Sequence, residues 1–312
     1  MAIRIILYLA CFVFIWFGSG LIVRSVDKFS RRLKISSFAV SFFVLGILTS
    51  IPELAVGITS VVDRKPEIFV GNLIGGVIII FLLIIPTLAI LGNGIKLSHN
   101  LNKKNLLLSL LVVAAPAFLI SDQKVTVFEG VLMVFLYITL FYFIEKKKGL
   151  IETVEQKFIQ EEKMLFIDLF NVLSGIAIIF LSSNFIVSQT IYFSSMIKIS
   201  PFFISLIILS LGTNLPELSV GIRSIRSGKK DIAFGDYIGS AAANTLFFGL
   251  LTLVNRGDIT IPNHFLLRFV FIAVGLFMFY IFSRSKHDIS RHEGLALLSV
   301  YVLFLLIEIF VR

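Results

Sequence analysis

The chain has 312 residues, 57% of them hydrophobic and only 15% charged, with a mean hydropathy of +0.99 and a formal net charge of +9. A soluble domain carries about 25% charged residues, so a water-soluble globular fold is excluded, and the single cysteine, Cys11, excludes a disulfide framework or cysteine metal cluster. The basic residues gather in alternate loops with no aromatic–basic surface module, a membrane pattern that excludes nucleic acid as a partner.

Apolar runs of about 20 residues recur along the chain, the length that crosses ~30 Å of hydrocarbon at 1.5 Å per residue. Ten spans are predicted, over 3–23, 37–61, 68–91, 105–121, 126–144, 164–188, 200–224, 232–254, 264–283 and 293–311. The first has Arg4 before an apolar run, as a signal peptide does. It lacks a small-residue cleavage site and continues through Trp16 and Phe17, so it is expected to be a mature helix. The second holds Leu48-Thr49-Ser50-Ile51-Pro52-Glu53, and the third opens on Gly71-Asn72-Leu73-Ile74-Gly75-Gly76. Between the fifth and sixth lies a mixed-charge stretch, Glu145 to Lys163, that reads as a connection without chemistry. The seventh contains Leu211 to Gly221, LGTNLPELSVG, and the eighth opens on Gly235-Asp236-Tyr237-Ile238-Gly239-Ser240. His99, His264, His287 and His292 lie in or beside loops, and none is spaced as a ligand pair.

The second half repeats the first. At an offset of 164, Thr49, Pro52, Glu53, Val56, Gly57 and Ser60 become Thr213, Pro216, Glu217, Val220, Gly221 and Ser224, and the Gly71 to Gly76 segment meets Gly235 to Ser240. Five spans per half is an odd number, so the second copy enters the membrane from the opposite side. The expected fold is an all-α polytopic membrane protein, ten transmembrane helices as two inverted five-helix repeats. Residues 1–145 form the first repeat, 146–163 a cytoplasmic linker and 164–312 the second repeat. Twenty of the 28 Lys and Arg fall in the loops after spans 1, 3, 5, 7 and 9, and eight on the other side. The positive-inside rule then puts both termini outside, in a multi-pass protein expected in the cell membrane.

Acidic residues inside a bilayer cost about 2.5–3.5 kcal/mol even on lenient scales, which makes Glu53 and Glu217 functional candidates. Proline in a helix interior removes a hydrogen bond, and in lipid the freed carbonyls need protein, water or an ion. Thr49 and Glu53, four apart, are expected on one helix face. Hydroxyl, carbonyl and carboxylate oxygens together suit hard cations such as Na⁺ and Ca²⁺. Inverted repeats with Gly/Pro-interrupted segments at matching positions place such a site near the midplane. Ser240 and Asn244 add oxygens to one face, whereas their counterparts Gly76 and Ile80 add none. The glycines at 71, 75, 235 and 239 are read as close-packing positions. Asp236 has two readings: a carboxylate complementing the helix dipole beside Arg226, Lys229 and Lys230, or a group at the cytoplasmic mouth of an ion path. Glu145, Arg268 and Glu308, near span ends, are expected to snorkel to the interface. With no paired Asp and no Ser–His or zinc constellation inside the spans, an enzyme is not expected.

The paired segments resemble the α-repeats of the sodium/calcium exchanger family, within the calcium/cation antiporter superfamily. That family's motif, G-T-S-L-P-E followed by G-N-x-x-G-S-N-x-x-N, is matched by GTNLPE and GDYIGSAAAN in the second half and less closely by LTSIPE and GNLIGGVIII in the first. The resemblance implies Glu53 and Glu217 as principal ion ligands, supplemented by Thr49, Thr213, Ser50, Asn214, Ser240 and Asn244. It further implies that spans 1 and 6 slide against spans 2, 3, 7 and 8. The departures are Leu48 for a glycine, Gly76 for a serine, Ile80 for an amide and Asn214 for a serine.

The function implied is secondary antiport, Na⁺ against Ca²⁺ by alternating access, with both ions competing for one midplane site and no cofactor. Carboxylates bind protons as well as metal ions, so a Na⁺/H⁺ or Ca²⁺/H⁺ exchanger of the same fold is the alternative. A non-transporting sensor or scaffold is the alternative of another class. The partners expected are the lipid bilayer and small cations (Na⁺, Ca²⁺ and, in the alternative, H⁺), with no obligate protein partner.

Overall fold

A backbone crossing hydrocarbon has to satisfy its own N–H and C=O groups, and the described residues of this chain do so with helices in their apolar runs. The computed structural model describes residues 2–33, 41–96, 103–148, 165–226, 230–255, 257–261, 265–285 and 288–310. Among these, nine helices are long and apolar enough to cross a membrane, and a bent pair makes a tenth span. The spans begin with α1 (Ala2–Leu33) and the bent pair α2 (Phe42–Thr49) and α3 (Ile51–Val62), which meet at 46°. They continue with α4 (Glu67–Leu91), α5 (Lys103–Leu119) and α6 (Val127–Lys148). The second half holds α7 (Leu165–Ile197), α8 (201–213) with α9 (Leu215–Arg226), α10 (Lys230–Asn255), α11 (Phe265–Ser285) and α12 (Arg291–Phe310). The ten expected spans are thus present, the sixth running nine residues beyond its expected end at 188 to Ile197. Most of the expected linker, residues 149–163, lies outside the described residues.

The 164-residue repeat reaches into details of the backbone. Ser50 and Asn214 both leave helical geometry, at φ −84°, ψ 8° and φ −87°, ψ 11°. One turn earlier, π-helical turns occupy Ser41–Leu45 and Ser205–Leu209. Thr126 with Glu129 and Ser290 with Glu293 form matching capping boxes: each carboxylate accepts from the N-cap N–H (2.7 and 2.8 Å), and each N-cap hydroxyl accepts in return (3.3 Å).

Two short antiparallel pairs close the loops. β1 (Ile95–Lys96) pairs with β4 (Asp288–Ile289), and β2 (Lys124–Val125) pairs with β3 (Ile259–Thr260). β1 follows span three and β4 follows span nine, on one face; β2 follows span four and β3 span eight, on the other. Each sheet therefore takes one strand from each half, and the offset that carries β1 onto β3 carries β2 onto β4.

The core lies around α4 and α10, whose apolar windows are 83% and 78% buried against 33% for α1 and α7. Close approach at this centre uses glycine. A Cβ on Gly75 would stand 2.1 Å from the Leu206 carbonyl of α8, and one on Gly239 2.0 Å from the Phe42 carbonyl of α2. These two contacts are mates under the repeat, and both fulfil the expectation of close packing. α1 and α7 pack most extensively on each other, crossing where Gly18 meets Gly175. Their side chains form a cluster separate from the main core, with Tyr8, Phe12, Ile15, Ile186 and Val187 around Val56, Ile68 and Leu209.

Candidate cation site

The site is built where the two interrupted spans cross α4 and α10. The prolines act differently from the expectation: Pro52 and Pro216 do not sit inside continuous helices. Each is the second residue of a new helix, α3 or α9, begun after the break at Ser50 or Asn214, where a missing N–H costs nothing. Thr49 ends α2 and Glu53 lies in the first turn of α3, so they share no single helix face. The break still turns both inward. Thr49, Ser50, Thr213, Glu217 and Ser240 are fully buried, and Glu53, Asn214 and Asn244 are at most 3% exposed.

Contacts run across the two halves. The Asn214 amide of one half donates to Glu53 Oε1 of the other at 3.0 Å, and also to the Ser210 carbonyl at 2.8 Å. The Thr49 hydroxyl lies 3.1 Å from Asp236 Oδ1, and the Thr213 hydroxyl 3.2 Å from Asn72 Oδ1. These two contacts are again mates, since 49 pairs with 213 and 72 with 236. Ser50 donates to the Gly46 carbonyl at 2.9 Å and lies 3.5 Å from the Ser240 carbonyl, while Ser240 turns its hydroxyl toward the Tyr237 carbonyl at 3.4 Å. A Cβ on Gly76 would sit 3.2 Å from the side-chain amide nitrogens of both Asn214 and Asn244, so these two amides flank the bare backbone where the first half lacks a serine.

All eight residues expected from the sequence therefore lie in this buried region. Two others were missed there. Asn72 and Asp236 are fully buried and hydrogen-bonded to the threonines. The signal for them was the repeat itself, which sets two polar residues at matching places in helices otherwise apolar around them. Asp236 lies neither in the first turn of α10 nor at an exposed mouth: the turn and a half of helix ahead of it carries it into the core. Arg268 and Glu308 also depart from expectation. They do not snorkel but form an ion pair with both side chains less than a tenth exposed, the guanidinium also lying 4.7 Å from the Phe202 ring centroid.

The electrostatics are one-sided. Glu53, Glu217 and Asp236 are close enough to feel one another's charge, and no Lys, Arg or His among the described residues pairs with any of them. Oδ2 of Asp236, Oδ1 of Asn214 and both amide atoms of Asn244 have no hydrogen-bond partner within 3.5 Å among the described residues, and the glutamates have only the threonine hydroxyls and backbone N–H groups near them, Thr49 by Glu217 and Thr213 by Glu53. Buried polar atoms normally have a hydrogen-bond partner. Among the described residues no three His, Cys, Asp or Glu converge as a ready chelating cluster, so the donors are spread along the crossing and mixed with neutral oxygens. Such a set can receive a hard, oxygen-seeking cation in place of hydrogen bonds.

The sequence model of the sodium/calcium exchanger protein family matches residues 3–144 and 168–310, nearly the whole chain. The chain belongs to the sodium/calcium exchanger family. MaX1 of Methanosarcina acetivorans, a sodium/calcium exchanger, is 26% identical over 353 aligned positions that cover 99% of both chains. The putative antiporter CaxA of Alkalimonas amylolytica is 27% identical over 307, covering 93% of this chain and 96% of that one. The fold matches that of the sodium-calcium exchanger NCX_Mj soaked with Na⁺ and Sr²⁺, with a TM-score of 0.71 at 23% identity over 97% of this chain and 98% of that one. The protein is accordingly an integral multi-pass exchanger and not an enzyme.

Proposed function

We propose that the protein is a secondary antiporter that exchanges Na⁺ for Ca²⁺ by alternating access, with Glu53 and Glu217 as the shared ligands. Thr49, Ser50, Thr213, Asn214, Ser240 and Asn244 supply the neutral oxygens. One observation carries the reading: the Glu217 carboxylate is fully buried in the span-crossing core, beside the Glu53 carboxylate of the other half, and no basic side chain among the described residues pairs with it. A group so placed is costly unless a cation completes it. Two ionised glutamates balance one Ca²⁺ or a pair of Na⁺, so the two loads exclude each other and their fluxes are coupled. The halves, 1–145 and 164–312, move as parts of one machine joined by the cytoplasmic segment 146–163, with both termini outside and the cell membrane as its location. Peripheral packing of α1 and α7 on each other, in a cluster apart from the main core, supports their sliding against α2, α3, α4, α8, α9 and α10.

The test is Ca²⁺ uptake into proteoliposomes with and without an outward Na⁺ gradient. Glu53→Gln and Glu217→Gln are each expected to reduce Na⁺-driven uptake to background while the protein still purifies folded. Uptake driven by a pH gradient and indifferent to Na⁺ would replace Na⁺ by H⁺ as the counter-ion. Wild-type rates in both variants would remove the glutamates from the mechanism.

A further inference from the structure

Asp236 and Asn72 occupy matching positions of the two repeats and do the same local work, each placing an oxygen against the threonine that ends the opposite broken helix. The neutral amide at 72 shows that the scaffold needs only a hydrogen-bond acceptor there. The carboxyl at 236 is therefore additional, and ionising it there is expensive without a cation: the side chain is fully buried and no basic group among the described residues pairs with it. Nor is it fully hydrogen-bonded. Thr49 has one proton, and its oxygen lies as near the Leu45 carbonyl (3.0 Å) as Asp236 Oδ1 (3.1 Å), while Asp236 Oδ2 has no partner at all.

Along α10, Asp236, Ser240 and Asn244 follow one another at i, i+4 and i+8, a buried row of oxygen-bearing side chains about 6 Å apart per step. The matching row on α4 is Asn72, Gly76 and Ile80, where only the first keeps a polar side chain. Oxygens lost from one repeat are thus offset by a carboxylate in the other, one turn nearer the α10 N-terminus than the glutamate crossing.

We propose that Asp236, with the Thr49 hydroxyl, forms a separate monovalent-cation subsite for Na⁺ beside the Glu53–Glu217 pair, on the side from which α10 enters. This rests on the antiport reading above. One carboxylate with neutral oxygens balances a single positive charge, whereas a divalent ion is better balanced by the two glutamates. Asp236 then adds one Na⁺ to each exchange cycle without holding Ca²⁺, and the symmetric position at Asn72 holds none.

The experiment is Na⁺-driven Ca²⁺ uptake by the full chain in proteoliposomes, with Na⁺ and Ca²⁺ titrated separately for wild type and Asp236→Asn. The substitution installs the residue that the mirror position already carries. The variant is expected to lower the Na⁺ Hill coefficient by about one and raise half-saturating Na⁺ by about tenfold or more, while half-saturating Ca²⁺ moves much less, through the loss of a neighbouring charge alone. Thermal unfolding in detergent gives the second readout: Na⁺ stabilises the variant less than wild type, and the stabilisation by Ca²⁺ changes much less. An unchanged Na⁺ dependence overturns the subsite, as does equal loss of both ions or a variant recovered only unfolded. Wild type that shows no Na⁺-driven uptake sinks the antiport reading and the subsite together; a normal wild type with an unaltered variant sinks the subsite alone.

Discussion

Arg268 and Glu308 lie 40 residues apart on α11 and α12, yet the guanidinium Nε donates to the carboxylate at 2.9 Å in a site closed to solvent. Taking two charges out of water costs more than their attraction returns unless the geometry is good, and removing one partner is worse than removing both. Arg268→Met is therefore expected to destabilise the protein by about 3–5 kcal/mol, read as a loss of thermal stability in detergent. The double variant Arg268→Met/Glu308→Leu is expected to recover most of that loss, and a double variant as weak as the single would contradict the account. The sequence places both residues near span ends, where a long side chain ordinarily reaches water. It does not show that α11 and α12 lie side by side, so the pairing was not legible. Glu53 and Glu217 were legible for the opposite reason, because a charge amid apolar residues is conspicuous without knowledge of its neighbours. Asp236 sat between these cases: its identity was visible, but its depth depended on how far α10 continues ahead of it.

At the scale of elements, the interruptions at Ser50 and Asn214 put carboxylates at the first turn of new helices instead of along old ones. The Pro-Glu pairs marked the place; the preceding π-turns at Ser41–Leu45 and Ser205–Leu209 left no mark in the sequence, because π geometry has no residue signature and arises where an extra residue is accommodated. Leu48, a departure from the family motif, also has a reason in packing. Its counterpart Gly212 lies under the ring of Phe12, with 2.0 Å to where a Cβ would stand, whereas Leu48 packs into the cluster of Ile22, Ala55 and Ile179. Glycine is required where α4 and α10 touch the broken helices by backbone. Gly75→Ala and Gly239→Ala both press a methyl against a carbonyl oxygen, in mirror-related contacts. Each is expected to cost about 1–3 kcal/mol, the two losses of thermal stability being alike. A neutral result at either position would mean that α2 or α8 can step aside freely.

For the whole molecule, the offset of 164 was enough to read two inverted halves, and it holds in the caps, the helix breaks and the strand pairs. What it did not disclose is the reciprocal strand exchange, because two-residue strands carry too little pattern to be found. The exchange gives a test of orientation. Lys124 and Thr260, exposed at the β2–β3 face, and Arg291, exposed beside β4 at the other, can be changed to cysteine one at a time, since native Cys11 is buried. An impermeant maleimide is expected to label Lys124→Cys and Thr260→Cys in intact cells and Arg291→Cys only after permeabilisation. Labelling all three from one side would break the inverted arrangement.

The unequal pair Asn72 and Asp236 bears on why both halves reside in one polypeptide. An assembly of two identical five-helix chains, one upside down, would carry the same residue at both places, aspartate twice or asparagine twice. Covalent fusion removes that obligation, so the two sides of the buried site can differ. A molecule rebuilt from two copies of the second half would carry an aspartate on both sides of the buried site and lose that difference.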